Sequence, residues 1–289
     1  MDSKSFVIDA RSWAFSLWAE AANRWSGREG QDRNYRMHVV HPALRSVLLE
    51  RIPSRGLHIL DLGCGDGSFL DDMENKKLIA DGGSYFGVDA SCELVDAAFA
   101  RHRKANIRFL MCDINDLETE IRIVHLRTKW DATLAVFVLQ EMPDIESFFH
   151  LIGRVVPPGG LAIAITVHPS FGDWLRETGR METADEFARE GAAAPELWRW
   201  AGFYPIVDEP REPFYLPYFH RTVDDYRMAF QRAGFSVLNI CEIPDSGDRI
   251  MLKEKGISPF IPFETNRYWP RIAEEPSALL IVAVKEAGA

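Results

Sequence analysis

Residues 59–69, Ile-Leu-Asp-Leu-Gly-Cys-Gly-Asp-Gly-Ser-Phe, decide the fold of this chain. The apolar run carries Asp61, and glycines then occupy every second position as Gly63, Gly65 and Gly67. This pattern predicts a buried strand that turns sharply into a helix. Because glycine lacks a Cβ, its backbone can adopt positive φ and approach a ligand closely, and the amide groups of a helix start favour negative charge. The stretch therefore predicts a ligand-binding turn.

The spacing of these glycines distinguishes between ligands. The dinucleotide fingerprint is Gly-x-Gly-x-x-Gly, whereas this chain has Gly-x-Gly-x-Gly, with Ser68 where the last glycine or alanine would stand. This spacing disfavours a nicotinamide cofactor. The stretch instead resembles motif I of the class I S-adenosylmethionine (SAM)-dependent methyltransferases. A tight turn with only a structural role is the alternative.

Composition restricts the partners. The chain has 289 residues, a formal charge of −10 and a pI near 5.3, which argue against a nucleic-acid backbone as partner, because binding there depends on clustered Lys and Arg. The N-terminus has no apolar signal region, and no apolar run approaches the ~18 residues of a membrane span. We expect a cytoplasmic protein without a membrane partner. The sequence does not fix its oligomeric state.

The four cysteines do not predict a metal site. Cys64, Cys92, Cys112 and Cys241 form no Cys-x-x-Cys pair, and each lies in or beside an apolar, strand-like segment. We expect reduced thiols and no metal cofactor.

Two later predicted strands also end in an acidic residue. Residues 84–88 lead to Asp89, about 20 residues past the glycines, and residues 107–112 lead to Asp113. In adenosine-binding α/β folds an acid at the end of the second strand can bind the ribose hydroxyls. The alternative for Asp89 is a helix N-cap. Three acids that end three successive strands favour a binding site.

The fourth strand, 130–138, is a nearly continuous apolar run, as expected for a parallel strand covered on both faces. It leads to Leu139-Gln140-Glu141-Met142-Pro143, which resembles motif IV of small-molecule methyltransferases and lacks the Asp/Asn-Pro-Pro-aromatic motif of the amino-adenine DNA enzymes. Gln140 and Glu141 are candidates for the cofactor or acceptor pocket. For Glu141, a solvated helix start is an equal alternative.

Regular alternation of strands and helices predicts an α/β fold with a doubly wound parallel sheet and a ligand crevice at the carboxyl ends of its strands. The resemblance implies a mostly parallel, seven-stranded, Rossmann-like methyltransferase sheet, with the last strand antiparallel. We expect a single domain. Its parts are an N-terminal helical cap (1–50), a SAM-binding core (51–170), an insertion that shapes the acceptor pocket (171–225) and the C-terminal part of the core (226–289).

The resemblance also implies the residues that bind SAM. Asp61 and the three glycines would approach the methionine part, Asp89 and Ala90 the ribose, and Cys112, Asp113 and Ile114 the adenine. Phe137 and Gln140, after the fourth strand, complete the expected pocket. Tyr35 and Arg36 could bind the SAM carboxylate from the cap, since arginine suits a bidentate contact.

The insertion is rich in aromatic residues and contains five prolines, a pattern too irregular for a sheet and helix unit. We expect it to fold over the crevice and to form an apolar acceptor pocket. An aromatic satellite core under a long loop is the alternative. Residues 244–276 form a second irregular segment before the final strand.

The predicted reaction is transfer of a methyl group from SAM to an O or N atom of a small, aromatic or apolar molecule. His168, at the end of the fifth strand, and His220 are the candidates for a general base or acceptor contact. Two alternatives remain open, namely a protein or RNA methyltransferase and a non-catalytic SAM-binding subunit.

Overall fold

Strands and helices alternate along the centre of the chain. The computed structural model describes residues 3–26, 36–52, 56–114, 116, 129–177, 181–184, 196–199, 215–243, 276 and 278–287. The strands within these ranges are β1 (His58–Leu62), β2 (Ser84–Asp89), β3 (Ile107–Met111), β4 (Ala132–Val136), β5 (Leu161–Val167), β6 (Met181–Thr183), β7 (Glu196–Arg199), β8 (Tyr215–Tyr218), β9 (Phe235–Ile243) and β10 (Ala278–Lys285). The α-helices are α1 (Ser3–Ser26), α2 (His41–Arg51), α3 (Met73–Leu78), α4 (Cys92–Arg101), α5 (Ile145–Val155), α6 (Pro169–Glu177) and α7 (Val223–Arg232).

Seven strands form the main sheet, in the order β3-β2-β1-β4-β5-β10-β9. The pairs among β1 to β5 are parallel, whereas β10 runs antiparallel to both β5 and β9. The predicted doubly wound, mostly parallel sheet with an antiparallel last strand is confirmed. In this order the carboxyl ends of β1 to β5 lie along one edge, where the fold class places its ligand crevice.

Apolar residues pack on both faces of this sheet. Adjacent residues of β1 enter different clusters, because neighbouring strand side chains point to opposite faces. Ile59 packs with Leu44 and Leu48 of α2, and Leu60 packs with Phe148 of α5 and Phe230 of α7. Burying a side chain of this size contributes roughly 1.5–3 kcal/mol. The two clusters hold the sheet, and therefore its carboxyl edge, in place.

Two helical segments differ from the sequence prediction. The apolar pattern of residues 34–51 predicts one helix, but the structure has a π-helix at Arg36–Val40 before α2, whose early Pro42 occupies a position where no amide donor is needed. The sequence after the glycine turn predicts a helix over 69–77, which the structure divides into a 3₁₀ turn, Ser68–Asp71, and α3. Asp72 between them is extended, and its carboxylate accepts a hydrogen bond of 2.7 Å from Arg45 of α2. This ion pair holds the break.

The aromatic-rich insertion contains regular structure, which corrects the expectation of an irregular segment. The strands β6, β7 and β8 form a separate antiparallel sheet in that order. Pro217 lies in β8 at the edge of this sheet, a position where proline is tolerated because its missing amide need not pair. The rest of the insertion's loops and the segment 244–275 lie outside the described residues.

Gly63 combines a left-handed backbone conformation with a crowded Cβ position, so its replacement should damage the fold. Its φ is +75°, and a Cβ there would lie 2.2 Å from Cγ2 of Val138. Gly159 has a similar φ, +81°, with open space around the Cβ position. We expect Gly159→Ala to cost about 1–2 kcal/mol from its backbone conformation alone. Gly63→Ala should cost about 1–3 kcal/mol more, since it also overpacks Val138. Urea unfolding of both variants measures the difference, and equal losses would contradict this account of the turn.

Candidate functional site

A cavity of about 520 Å³ lies at the carboxyl edge of the main sheet. One part of it, the β1–β3 half, is lined by residues that follow or end the first three strands, namely Gly63, Cys64, Gly65, Asp89, Ala90, Met111, Cys112, Asp113 and Ile114. The other part, the β4–β5 half, is lined by Val136, Phe137, Val138, Gln140, Glu141, Met142, Pro143, Val167, Phe171 and Leu216. Ten of the thirteen residues predicted to bind the cofactor line this cavity: Arg36, Gly63, Gly65, Asp89, Ala90, Cys112, Asp113, Ile114, Phe137 and Gln140.

Asp89 joins the glycine turn to the end of β2. One of its carboxylate oxygens accepts a hydrogen bond of 2.8 Å from the amide of Gly65, and the other accepts one of 2.9 Å from the amide of Ser91. Gly65 has a φ of +54° and open space at its Cβ position. The N-cap of α4 is Ser91, whose hydroxyl accepts from the amide of Leu94. Ser91 therefore caps the helix in place of Asp89, and Asp89 lies on the cavity wall.

Asp61 lies beside this wall and does not line the cavity. Its side chain is buried, and one carboxylate oxygen accepts a hydrogen bond of 2.5 Å from the hydroxyl of Tyr85. The other oxygen has no hydrogen-bond partner among the described residues. Burial raises the pKa of Asp61 to about 7, although the Tyr85 hydroxyl opposes this shift. A second predicted residue, Gly67, also lies away from the cavity, since a Cβ there would contact His102 and Phe109.

Asp113 lies on the cavity wall and forms an ion pair with Arg11 of α1. Its carboxylate is thus engaged by the N-terminal helix in this structure, while Ile114 beside it is buried and apolar. Sequence reasoning overlooked Arg11. The signal was present, because Arg11, Phe15 and Trp18 recur at helical spacing and share one face of α1. All three line the cavity.

Helix α1 crosses the cavity from one half to the other. Arg11 pairs with Asp113 after β3, and the indole Nε1 of Trp18 donates a hydrogen bond of 2.8 Å to Oε2 of Glu141 after β4. Its alanines Ala10, Ala14, Ala21 and Ala22 are buried. The helix packs through small side chains and presents arginine and aromatic side chains to the cavity.

Arg36 lines the cavity near the glycine turn. Its Nη1 donates a hydrogen bond of 2.6 Å to the hydroxyl of Ser68. The guanidinium group thus brings a cationic group to the cavity wall beside Ser68, an arrangement suited to a carboxylate. Tyr35, the other residue predicted for this task, lies outside the described residues.

The segment from Phe137 to Glu141 forms the floor of the β4–β5 half. Phe137 has a φ of +56°, which is unusual for a bulky side chain. The side-chain nitrogen Nε2 of Gln140 donates hydrogen bonds to the backbone carbonyl of Phe137 at 2.7 Å and to Oε1 of Glu141 at 3.3 Å. The amide oxygen of Gln140 accepts from the hydroxyl of Thr166 at 3.0 Å. The side chain of Gln140 thus braces the segment.

Glu141 is a residue whose place the sequence left undecided. Its side chain lines the cavity, and burial raises the pKa of its carboxyl well above the usual range, while the Trp18 and Gln140 hydrogen bonds act in the opposite direction. The structure rejects the alternative of a solvated helix start.

The two predicted histidines do not line the cavity. Nδ1 of His168 lies 2.6 Å from the hydroxyl of Ser170 and accepts from the Ser170 amide at 3.1 Å, and Nε2 lies 3.7 Å from Glu242. The backbone carbonyl of His168 accepts from the first amides of α6. His168 therefore helps to begin a helix. The ring of His220 lies 6.3 Å from the ring of Tyr218, measured between centroids, and the two planes are tilted by 49°. The structure does not place either histidine among the residues that line the cavity.

The cavity residues fit SAM. Asp89 could offer a fixed carboxylate to a ribose diol, Cys112 and Ile114 could offer apolar surface to a planar base, and Arg36 could bind a carboxylate beside the open space at Gly65. No group of three His, Cys, Asp or Glu side chains within the described ranges could hold a metal ion. In the same ranges, no helix is long and apolar enough to cross a bilayer.

Comparison with known proteins identifies the family. A family model described as a methyltransferase domain matches residues 28–240. The chain belongs to this family of SAM-dependent methyltransferases. This methyltransferase is 24% identical over 160 residues to the ubiquinone biosynthesis O-methyltransferase of Coxiella burnetii, an alignment that covers 55% of the chain and 63% of the relative. The corresponding protein of Klebsiella pneumoniae is 25% identical over 155 residues, covering 53% and 60%. The chain thus spans less than two thirds of the length of these relatives.

Solved structures share the fold of the methyltransferase. A methyltransferase in complex with the activator Trm112 from Haloferax volcanii has a TM-score of 0.57 at 18% identity, covering 93% of this chain and 98% of that one. The magnesium protoporphyrin IX methyltransferase from Synechocystis, with bound S-adenosylhomocysteine, has a TM-score of 0.55 at 14% identity. The match covers 96% of this chain and 100% of that one.

Replacing Asp89 tests its place in the site. We expect Asp89→Ala to weaken SAM binding at least about tenfold, since hydrogen bonds to a charged group contribute about 1.5–3 kcal/mol each. Isothermal titration calorimetry with SAM measures the change. Asp131→Ala is the matched control, because Asp131 also accepts a backbone amide, that of His58 at 2.8 Å, at the opposite end of the sheet. Equal SAM affinity of the Asp89 variant and wild type would contradict this role.

Asp61 should give the protein a characteristic pH dependence. Its pKa rises from 3.8 to about 7 on folding, so between these values the native state retains a proton that the unfolded chain has lost. Stability must then fall as pH rises from 4 to 7, by about 4 kcal/mol relative to Asp61→Asn. Urea unfolding between pH 4 and 8 measures this. Tyr85→Phe should steepen the fall, because the Tyr85 hydroxyl lowers the pKa. Parallel profiles of wild type and Asp61→Asn would refute the assignment.

Proposed function

We propose that this methyltransferase transfers the methyl group of SAM to an oxygen or nitrogen atom of a small apolar or aromatic molecule. One observation supports this most strongly: a single cavity joins the glycine turn and Asp89 to an apolar wall formed by Val167, Phe171 and Leu216. Its volume, about 520 Å³, falls in the range of small-molecule sites, roughly 300–1,000 Å³.

The β1–β3 half would hold SAM. Asp89 would accept hydrogen bonds from the ribose hydroxyls, and the segment Cys112–Ile114 would flank the adenine. Arg36 would bind the carboxylate of the amino-acid end. The backbone at Gly63 and Gly65 leaves room for that end to approach, because neither residue carries a side chain.

The β4–β5 half would hold the acceptor. Phe137, Met142, Pro143, Val167, Phe171 and Leu216 give it an apolar surface. Leu216 belongs to the small sheet of the insertion, which supports the expectation that the insertion shapes the acceptor pocket. The names of the relatives from Coxiella and Klebsiella, ubiquinone biosynthesis O-methyltransferases, agree with a small acceptor.

SAM supplies an electrophilic methyl group on a sulfonium centre. The task of the protein is then to hold the acceptor atom in line with that group, and orientation of this kind can account for up to about 7–11 kcal/mol of the barrier reduction. The two walls are positioned by different strands of one rigid sheet. Helix α1, anchored at Asp113 and at Glu141, covers the cavity and would limit the access of water.

Formation of S-adenosylhomocysteine tests the proposal. We expect the purified protein to bind SAM in calorimetry and to produce S-adenosylhomocysteine, detected by mass spectrometry, with members of a panel of small phenols and anilines. Asp89→Ala should reduce both signals. Tight SAM binding without product from any small acceptor would favour a macromolecular acceptor or a non-catalytic role, and absence of SAM binding would contradict the proposal entirely.

A further inference from the structure

Glu141 is the acidic group of the β4–β5 half. Among the described residues, four carboxylates line the cavity: Asp89, Glu93, Asp113 and Glu141. Asp89 accepts the amides of Gly65 and Ser91, Asp113 pairs with Arg11, and Glu93 accepts from the hydroxyl of Ser91. These three lie in the β1–β3 half or at the start of α4. Among the described residues that line the β4–β5 half, Glu141 is the one carboxylate.

The hydrogen-bond donors to Glu141 are neutral. The indole of Trp18 donates to Oε2 at 2.8 Å, and the amide of Gln140 donates to Oε1 at 3.3 Å. Each oxygen thus has one donor, and a carboxylate oxygen can accept more than one hydrogen bond. These contacts fix the orientation of the carboxylate without neutralising its charge, and they leave it able to accept a further proton.

The loop that carries Glu141 is held by a clamp formed by Phe219 and Arg221, which lie between β8 and α7. The guanidinium of Arg221 donates to the carbonyl of Leu139 at 2.8 Å and to that of Met142 at 2.5 Å. The amide of Phe219 donates to the carbonyl of Gln140 at 2.7 Å. These bonds hold both sides of Glu141. A carboxylate kept in place from both sides is suited to act on a bound molecule.

Strain at the start of the same loop supports a functional role. Phe137 has a φ of +56° and lines the cavity, and its carbonyl is held by Gln140. Non-glycine residues in this region cost of order 1–3 kcal/mol and persist where the surrounding structure over-determines them, often at functional sites. The side chain of Gln140 and the clamp formed by Phe219 and Arg221 provide such support.

We propose that Glu141 is a catalytic residue that accepts the proton of a hydroxyl group on the methyl acceptor, which makes the protein an O-methyltransferase. This inference rests on the proposed function and specifies its acceptor. The acceptor oxygen forms a bond to the methyl carbon while the carbon–sulfur bond breaks. The sulfur retains that electron pair and becomes a neutral thioether. The hydroxyl proton moves to the Glu141 carboxylate and from there to solvent.

A hydroxyl acceptor explains the presence of this carboxylate better than an amine. A neutral amine attacks without prior loss of a proton, whereas a hydroxyl gains typically ~10²–10⁴-fold from a positioned base. The burial that raises the pKa of Glu141 strengthens it as a base. Two charged groups act on the pKa of Glu141: Asp89 raises it and Arg36 lowers it. The ion pair of Arg11 and Asp113 lies at the other end of the α1 face, and Arg221 flanks the loop.

Glu141→Gln tests the proposal, because it keeps the size and most contacts of the side chain and removes its basicity. With wild type, SAM and a panel of substituted phenols and their matching anilines, we expect methylation of phenols. Glu141→Gln should lower kcat for phenols about 10²–10⁴-fold with little change in SAM affinity. The rise of the wild-type rate with pH, as the carboxyl loses its proton, should disappear. Glu141→Asp, which retains a base, should keep part of the activity and the pH-dependent limb.

Two controls separate catalysis from structure. Glu146→Gln removes an exposed carboxylate that pairs with Arg232 on the surface, and it should behave as wild type. Trp18→Phe removes one donor to Glu141 but leaves the carboxylate, so it should retain the pH-dependent limb. A Glu141→Gln variant that methylates phenols at the wild-type rate would overturn the proposal. So would wild type that methylates anilines and no phenol. Absence of transfer to either class would instead count against the proposed function.

Discussion

The carboxylate of Asp89 is the contact on which the site depends. Its bond to the amide of Gly65 ties the turn after β1 to the end of β2, and its bond to the amide of Ser91 sets the start of α4. Burial raises the pKa of this carboxyl, but the backbone amides of Ser91 and Gly65 act against that shift. One side chain thus fixes the glycine turn and presents oxygen atoms to the cavity.

A second network plays the same part on the opposite half of the cavity. Arg221 and Gln140 hold the loop after β4 through its carbonyl groups, and Thr166 of β5 connects Gln140 to Tyr226 of α7. The two halves are therefore braced independently, each by polar groups buried beside the sheet. Helix α1 links them across the cavity. In the proposed reaction this arrangement holds donor and acceptor in separate, rigid walls whose distance is set by β1 and β4, which pair directly.

The sequence predicted the sheet well because its signals were local. The proline and glycine turn before β5 and the acids at or just after the ends of β1, β2 and β3 each depend on neighbouring residues. The apolar runs 161–167, 235–243 and 278–285 predict strands, and they coincide with β5, β9 and β10. The positions of Asp89, Cys112 and Ile114 on the cavity wall could be predicted because the carboxyl ends of parallel strands meet at one edge of the sheet. Contacts between distant segments gave no such signal. The pairs Arg11–Asp113 and Trp18–Glu141 join residues more than 100 positions apart, so the sequence alone could not predict that Glu141 lines the cavity whereas His168 does not. The short strands β6 to β8 were hidden among prolines and aromatic residues.

A crystal structure of the protein with S-adenosylhomocysteine tests the central claim most directly, because the claim concerns how one cavity is divided between donor and acceptor. The account predicts the ribose hydroxyls at Asp89, the adenine against Cys112 and Ile114, and the sulfur facing the half of the cavity that contains Glu141. A ligand bound elsewhere, or with its sulfur turned away from Glu141, would contradict it.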